Sequence, residues 1–249
     1  MIAIETVPVE HLPLALGLTV PLDFPERWRH RPLAGWTMDA DDYVLRYVFR
    51  HCRPARHLEF GTWLGDGVLR CVEECDATVW TINIPQGEAK PDGTWAYGDI
   101  DTEEWVAHTP WSERLVTADG VWVRTDSYGL IGRKYLEAGW GTRVCQIYAD
   151  SRDWDTRAYP DGFFDTAFID GSHTAEVVAS DTRRAVRLVR PGGLVIWHDF
   201  CPLDEVTRAC ESTRDVVAFI ASHIEELGQS FTRLFWVEPS WLLFGIRAI

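Results

Sequence analysis

Lysine is almost missing from this chain: only Lys90 and Lys134 carry an ammonium group, and arginine supplies the remaining positive charge. The formal net charge is −14. Such an anionic chain is a poor partner for nucleic acid, because neutralising phosphates takes clustered Lys and Arg. Any apolar run long enough to span a bilayer is also lacking, so no membrane segment is expected. The N-terminus is mildly apolar, but Glu5, Glu10, His11 and several prolines interrupt it and no basic region precedes it. It therefore reads as free of a signal peptide. A third absence is the Cys-x-x-Cys pair. The six cysteines (Cys52, Cys71, Cys75, Cys145, Cys201 and Cys210) form no small secreted framework. They are expected to be reduced, mostly buried thiols of a cytoplasmic protein. Cys71 and Cys75 lie one helical turn apart with no partner His or Cys nearby, which favours core packing over a metal site.

What is present is ordinary in amount and unusual in arrangement. Hydrophobic residues make up 46% and charged residues 25% of the 249 positions, as in a soluble globular protein. That length fits one large α/β domain over residues 1–249 better than two small ones. Residues 1–37 are proline-punctuated and aperiodic, an arm or cap. A helix is expected from Asp39 to Arg50, a strand over Arg56 to Phe60, a helix from Gly65 to about Glu74 and a strand over Thr78 to Ile84. Residues 85–127 then break the pattern, with nine acids against three bases and four tryptophans, Trp95, Trp105, Trp111 and Trp122. This stretch reads as an insertion over the strand ends, with a short helix and a hairpin, and its tryptophans as an aromatic wall for an acceptor or as ordinary core.

Regular alternation then resumes. Helices are expected near Tyr128 to Ala138, Thr174 to Val189 and Asp215 to Leu227. Strands are expected over Arg143 to Ala149, Phe163 to Ile169 and Leu194 to Trp197. Two final apolar runs, Phe231 to Val237 and Trp241 to Ile246, flank a turn at Glu238-Pro239-Ser240.

Two stretches carry chemistry. The first is Arg56-His57-Leu58-Glu59-Phe60-Gly61-Thr62-Trp63-Leu64-Gly65-Asp66-Gly67. Its glycines let the backbone turn sharply and let a ligand approach without meeting a Cβ. Glu59 falls at the carboxyl end of its strand, the lip where open α/β sheets bind ligands. The second runs from Phe164 through Ile169-Asp170-Gly171-Ser172-His173 and Asp181 to Pro191-Gly192-Gly193 and Trp197-His198-Asp199-Phe200. Asp170 and Asp199 end adjacent strands and would point into one cleft.

Together these motifs resemble the class I S-adenosylmethionine (SAM) methyltransferases, in particular the bacterial small-molecule group related to the catechol and macrocin O-methyltransferases. The resemblance covers roughly residues 56–200. It implies a Rossmann-like, seven-stranded, mostly parallel sheet with helices on both faces and an antiparallel last strand. For the cofactor it implies contacts from Glu59, Gly61, Thr62, Trp63, Gly65, Asn83, Asp150, Ser151 and Asp170. Glu59 would face the methionine amino group or polarise the loop, and Asn83 would stand near the ribose where the family has an acid. Asp150 and Ser151 would lie near the adenine. Trp63 is either a wall of the cleft or a core residue.

In metal-dependent relatives, acids at the positions of Asp170 and Asp199 bind Mg²⁺. A divalent cation held by Asp170, His198 and Asp199 is one reading; a pair of strand-end aspartates holding loops is the other. His173 stands where the catechol enzymes place a lysine base, and its imidazole suits deprotonation of an acceptor hydroxyl. His173, Asp170 and His198 are thus the catalytic candidates.

The function implied is methylation of a small molecule, chiefly at oxygen, by a monomer or homodimer. A SAM-fold enzyme doing cyclisation or elimination and a non-catalytic subunit with a decayed cofactor site are the alternatives. A short-chain dehydrogenase is set aside, because neither lysine has a tyrosine four residues before it.

Overall fold

The backbone of β2 (Arg56–Phe60) is extended and almost every residue along it is buried, which is the signature of a parallel strand covered on both faces. In the computed structural model, which describes residues 3–29, 39–84, 114–116, 122–124 and 131–249, that strand lies inside one eight-stranded sheet. Its other strands are β1 (Ile4–Pro8), β3 (Thr78–Asn83), β6 (Val144–Tyr148), β7 (Phe164–Ile169), β8 (Val189–Trp197), β9 (Phe231–Glu238) and β10 (Leu243–Arg247). Their order is β1-β9-β10-β8-β7-β2-β3-β6. Neighbours from β8 to β6 run parallel, and β10 inserts antiparallel between β8 and β9. Two further short strands, β4 (Arg114–Val116) and β5 (Trp122–Arg124), pair antiparallel as a separate ribbon.

The helices follow from the two-residue period of the strands. In β7, Phe168 faces one core while Ala167 and Ile169 face the other; in β8, Ile196 faces the first and Val195 and Trp197 the second. On the first face lie α3 (Asp39–Cys52) and α4 (Asp66–Glu74), through Val44, Leu45, Val48, Phe49, Val68 and Val72. Segments of the N-terminal arm join them, including α1 (Leu12–Ala15), and α2 (Glu26–Arg29) follows in the chain. After α5 (Arg133–Glu137), the second face is covered by α6 (Ala175–Leu188), α7 (Asp204–Ala209), α8 (Glu211–Ser222) and α9 (Ile224–Ser230).

The doubly covered, mostly parallel sheet with an antiparallel last strand is as expected, but it has eight strands rather than seven. The extra one is β1, at the edge beside β9. Only Val7 of its five residues is buried, so it lacks the apolar alternation that marks a strand in sequence. Arg233 of β9 instead pairs with both carboxylate oxygens of Glu5, at 3.0 and 2.7 Å. The expected arm is therefore partly core: Val7, Val9, Leu12 and Phe24 are all buried.

The one helix expected before the last strands is three. Apart from β4 and β5, the acidic insertion at 85–127 lies outside the described residues. Cys71 and Cys75 are buried in the core, their sulfurs 3.9 Å apart, as the packing reading requires. Among the described residues no helix is long and apolar enough to cross a membrane.

Candidate active site

The parallel ladder continues one residue beyond three strands. Gly61 N–H donates to Ile82 O, Asp170 N–H to Phe60 O and His198 N–H to Ile169 O, at 2.8–3.0 Å. Gly61, Asp170 and His198 are thereby fixed side by side at the carboxyl ends of β2, β7 and β8, the place where open α/β sheets bind ligands.

Gly61 has φ +92, and a Cβ built there would lie 2.1 Å from the carbonyl oxygen of Asp170. The residue is a glycine because two strand ends close on each other, not only because a ligand needs room. Gly65, at φ +90, caps α4, and Trp63 between them holds φ +45.

The expected cofactor residues divide by exposure. Trp63 is 41% exposed, so it is not core and its ring stands on the outer side of the loop. Thr62 is buried beneath, its hydroxyl 2.6 Å from that of Thr81 and accepting from Gln146 Nε2 at 2.9 Å. Glu59 is also buried, with its carboxylate under Gly67, where a Cβ would come within 2.5 Å of Oε2. Burial, with the charge of Asp170, pushes its carboxyl well above the usual carboxylate range. Its Oε2 has no hydrogen-bond partner among the described residues.

Asn83 is 7% exposed and its amide is engaged by the backbone of Trp63 in the loop and of its own neighbour Ile84. Asp150 holds Arg152 through both carboxylate oxygens and lies at the end of β6 beside Ser151, partly exposed. Hydrogen bonding to Arg152 holds its pKa below the ordinary value.

The acid–histidine cluster is tighter than the sequence suggests. His198 Nδ1 is 2.9 Å from Asp199 Oδ2 and 3.1 Å from Asp170 Oδ1, while its Nε2 is 3.2 Å from Asp41 Oδ2. Ionised carboxylates only accept, so carboxylates at both nitrogens favour a proton on each. Burial opposes that charge, but Asp170 and Asp199 outweigh it and raise the His198 pKa well above the ordinary value. Asp199 sits at φ +54, a conformation sparse for any residue but glycine. Its Oδ1 accepts from Ser212 Oγ at 2.8 Å. Burial works against its charge as well, yet the neighbouring His198 and His173 hold it below the usual carboxylate range.

His173, in the turn before α6, brings Nε2 to 2.7 Å from Asp199 Oδ2, off the straight line of a well-formed hydrogen bond. Its pKa is raised: burial opposes the charge, and the bond to Asp199 together with the charges of Asp199 and Asp170 overrides it.

Two features lie beyond the sequence reading. Both His198 nitrogens are taken up by carboxylates. Among the described residues the donors that converge are instead Asp170, His173 and Asp199, whose ligand atoms lie within 4.8 Å of one another. Two oxygens and one nitrogen suit a divalent cation tolerant of imidazole better than Mg²⁺. Asp41, at the start of α3, is fully buried in the cluster and was not singled out in sequence; its Oδ1 accepts from the backbone N–H of Trp241 at 3.1 Å. Asp41 is one of three acids in the helix's first turn, with Asp39 and Asp42, where an acid ordinarily reads as a dipole partner, and only the fold shows it facing a histidine 157 positions on.

Comparison with known proteins agrees with this fold. A family model described as a methyltransferase domain matches residues 58–200, more than half of the chain and the whole span from β2 to Phe200. Among solved structures, the Podospora anserina methyltransferase PaMTH1, solved bound to SAH, superposes with a TM-score of 0.53 at 17% identity, over 90% of this chain and 86% of that one. The O-methyltransferase TomG of Streptomyces achromogenes, involved in tomaymycin synthesis and solved with SAM, gives a TM-score of 0.50 at 14% identity, over 97% and 88% of the two chains. These likenesses are of fold. No curated protein matches.

Proposed function

Because the chain belongs to the methyltransferase-domain family, we propose that it transfers a methyl group from SAM to a hydroxyl of a small-molecule acceptor, with His173 taking the hydroxyl proton. The observation that carries this reading is the convergence of Asp170, His173 and Asp199 beside the glycine loop, at the lip of the sheet.

SAM would lie across the ends of β2, β3 and β6, over the Gly61–Gly65 turn and towards Asp150 and Ser151, which form one continuous edge of adjacent strands. That edge fits an elongated ligand, and the exposed ring of Trp63 would flank it. When bound, SAM supplies an electrophilic methyl on a sulfonium, which departs with the C–S electron pair as a neutral thioether. The chain's own part is positioning the acceptor and removing its proton, effects that together account for much of enzymatic rate enhancement. Asp199 lies beside Nε2 of His173, so the proton from the acceptor oxygen would arrive at Nδ1. Asp170, 22% exposed at its side chain, would accept a hydrogen bond from the same hydroxyl.

A divalent cation on Asp170, His173 and Asp199 would instead act as a Lewis acid that acidifies the acceptor hydroxyl. The two forms of assistance compete for His173, and one experiment separates them. Release of S-adenosylhomocysteine is followed with small hydroxylated acceptors, before and after chelation. His173→Gln keeps much of the hydrogen bonding but cannot titrate. It is expected to retain SAM affinity and lose roughly two to four powers of ten in turnover. Turnover close to wild type would dismiss His173 as the base, and activity that vanishes on chelation and returns with a divalent ion would establish the metal. Product analysis separates methyl transfer from cyclisation or elimination of the sulfonium.

A further inference from the structure

The end of β3 is where the resemblance places an acid that receives both ribose hydroxyls, and this chain has Asn83 there. The side chain is not waiting for a ligand. Its Oδ1 accepts from the backbone N–H of Trp63 at 2.9 Å, and its Nδ2 donates to the backbone carbonyl of Ile84 at 2.7 Å. Both partners are main-chain groups whose roles are fixed, so the amide's orientation follows from them. The pair of bonds requires one donor and one acceptor on the same side chain. Asparagine has both; an ionised aspartate has only acceptors and would set a lone pair against the Ile84 carbonyl.

The bond to Trp63 falls on a residue that needs support. Trp63 holds φ +45 in the middle of the glycine loop. A non-glycine residue keeps such a conformation only when its surroundings over-determine it. Here they do so from both sides, because Gly132 N–H donates to the Trp63 carbonyl at 2.8 Å while Asn83 holds its N–H. The next turn is tied as well, by Lys134 N–H to Leu64 O at 2.9 Å.

We infer that Asn83 is a clamp that sets the shape of the glycine loop, and that this duty selects an amide over the acid the family carries there. The inference rests on SAM as the ligand of that loop. With one N–H and one oxygen lone pair left, the amide cannot receive two hydroxyls as a carboxylate does. The ribose is therefore not gripped at this position by a two-acceptor contact, and Asn83 acts on the cofactor through the loop.

The consequence has a direction that a ribose-reading residue would reverse. If position 83 reads the sugar, Asn83→Asp restores the family acid and tightens SAM. If it clamps the loop, Asn83→Asp breaks the bond to Ile84 and loosens SAM. Titration calorimetry with SAM is expected to show Kd raised roughly fivefold or more in both Asn83→Asp and Asn83→Ala, the scale of one lost hydrogen bond. Amide hydrogen exchange supplies the second readout, independent of the cofactor. The Trp63 N–H should lose protection in both variants: Asn83→Ala has no acceptor, and in Asn83→Asp repulsion from the Ile84 carbonyl turns the carboxylate away from it. The Thr81 amide in β3 should stay protected in both, showing an intact sheet. An Asn83→Asp protein that binds SAM as tightly as wild type or more tightly would overturn the clamp, as would Asn83→Ala with unchanged protection at Trp63. A wild-type protein that fails to bind SAM would defeat the cofactor reading, and the exchange data alone would then decide on the clamp.

Discussion

At the scale of single residues, the site depends on a buried group that contributes no chemistry of its own. Asp41 is fully buried, and its carboxylate spans from the Trp241 backbone to His198 Nε2. The side chain of His198 is 5% exposed, so little water can replace the lost partner if Asp41 is removed. Truncating one member of a buried ion pair leaves the other uncompensated, which costs about 3–5 kcal/mol. Asp41→Ala is therefore expected to lower the free energy of unfolding by about that much, read from the denaturant midpoint. Asp41→Asn, which keeps an acceptor for the His198 N–H, should cost clearly less. Equal losses in the two variants would mean that packing at residue 41, and not the contact to His198, is what matters.

At the scale of elements, the strand ends explain why the glycine loop cannot be probed at just any glycine. A Cβ at Gly61 would meet the Asp170 backbone at 2.1 Å, and the φ of +92 is strained for an alanine in any case. Gly171, on the other side of the same seam, would place a Cβ no closer than 3.6 Å to its nearest neighbour. Gly61→Ala should destabilise the fold by about 2 kcal/mol or more, from the left-handed conformation plus the clash. Gly171→Ala should be close to neutral by thermal unfolding. Comparable melting temperatures for the two would show that the approach of β2 to β7 at Gly61 leaves room for a Cβ.

The same seam shows what the sequence makes legible. Strands β2, β3, β6 and β7 can be placed to within a residue or two, because each is an apolar run ended by a polar or glycine turn, and Gly61, Asp170 and Asp199 fall where those turns demand. The edge strand β1 is hidden because a short edge strand needs only one buried side. Asp41 and the commitment of both His198 nitrogens are hidden for a different reason: each is a contact between segments far apart in the chain, which no local pattern encodes.

At the scale of the whole molecule, two buried groups tilt stability in opposite directions with pH. Asp181, on the inner face of α6, is 1% exposed, and burial pushes its carboxyl up to about 7. Between the ordinary aspartate value and about 7, the folded protein holds a proton that the unfolded chain has released, so this group's contribution to stability falls as pH rises through that window. His57, fully buried against Phe49 in a T-shaped ring contact, is pushed down to about 3. Between about 3 and the ordinary histidine value, the unfolded chain binds a proton that the folded protein refuses, so this contribution falls as pH drops. The windows overlap between roughly pH 4 and 6.5, and there the two slopes largely cancel. Asp181→Asn removes one of them. Its free energy of unfolding relative to wild type should therefore rise from pH 4 to pH 7 by a few kcal/mol, on the order of 4 for a three-unit shift. Denaturant titrations of both proteins at several pH values between 4 and 8 measure this difference. A difference that stays constant across that range would show that Asp181 ionises in the fold as it does in the open chain, and that the buried face of α6 accommodates its charge.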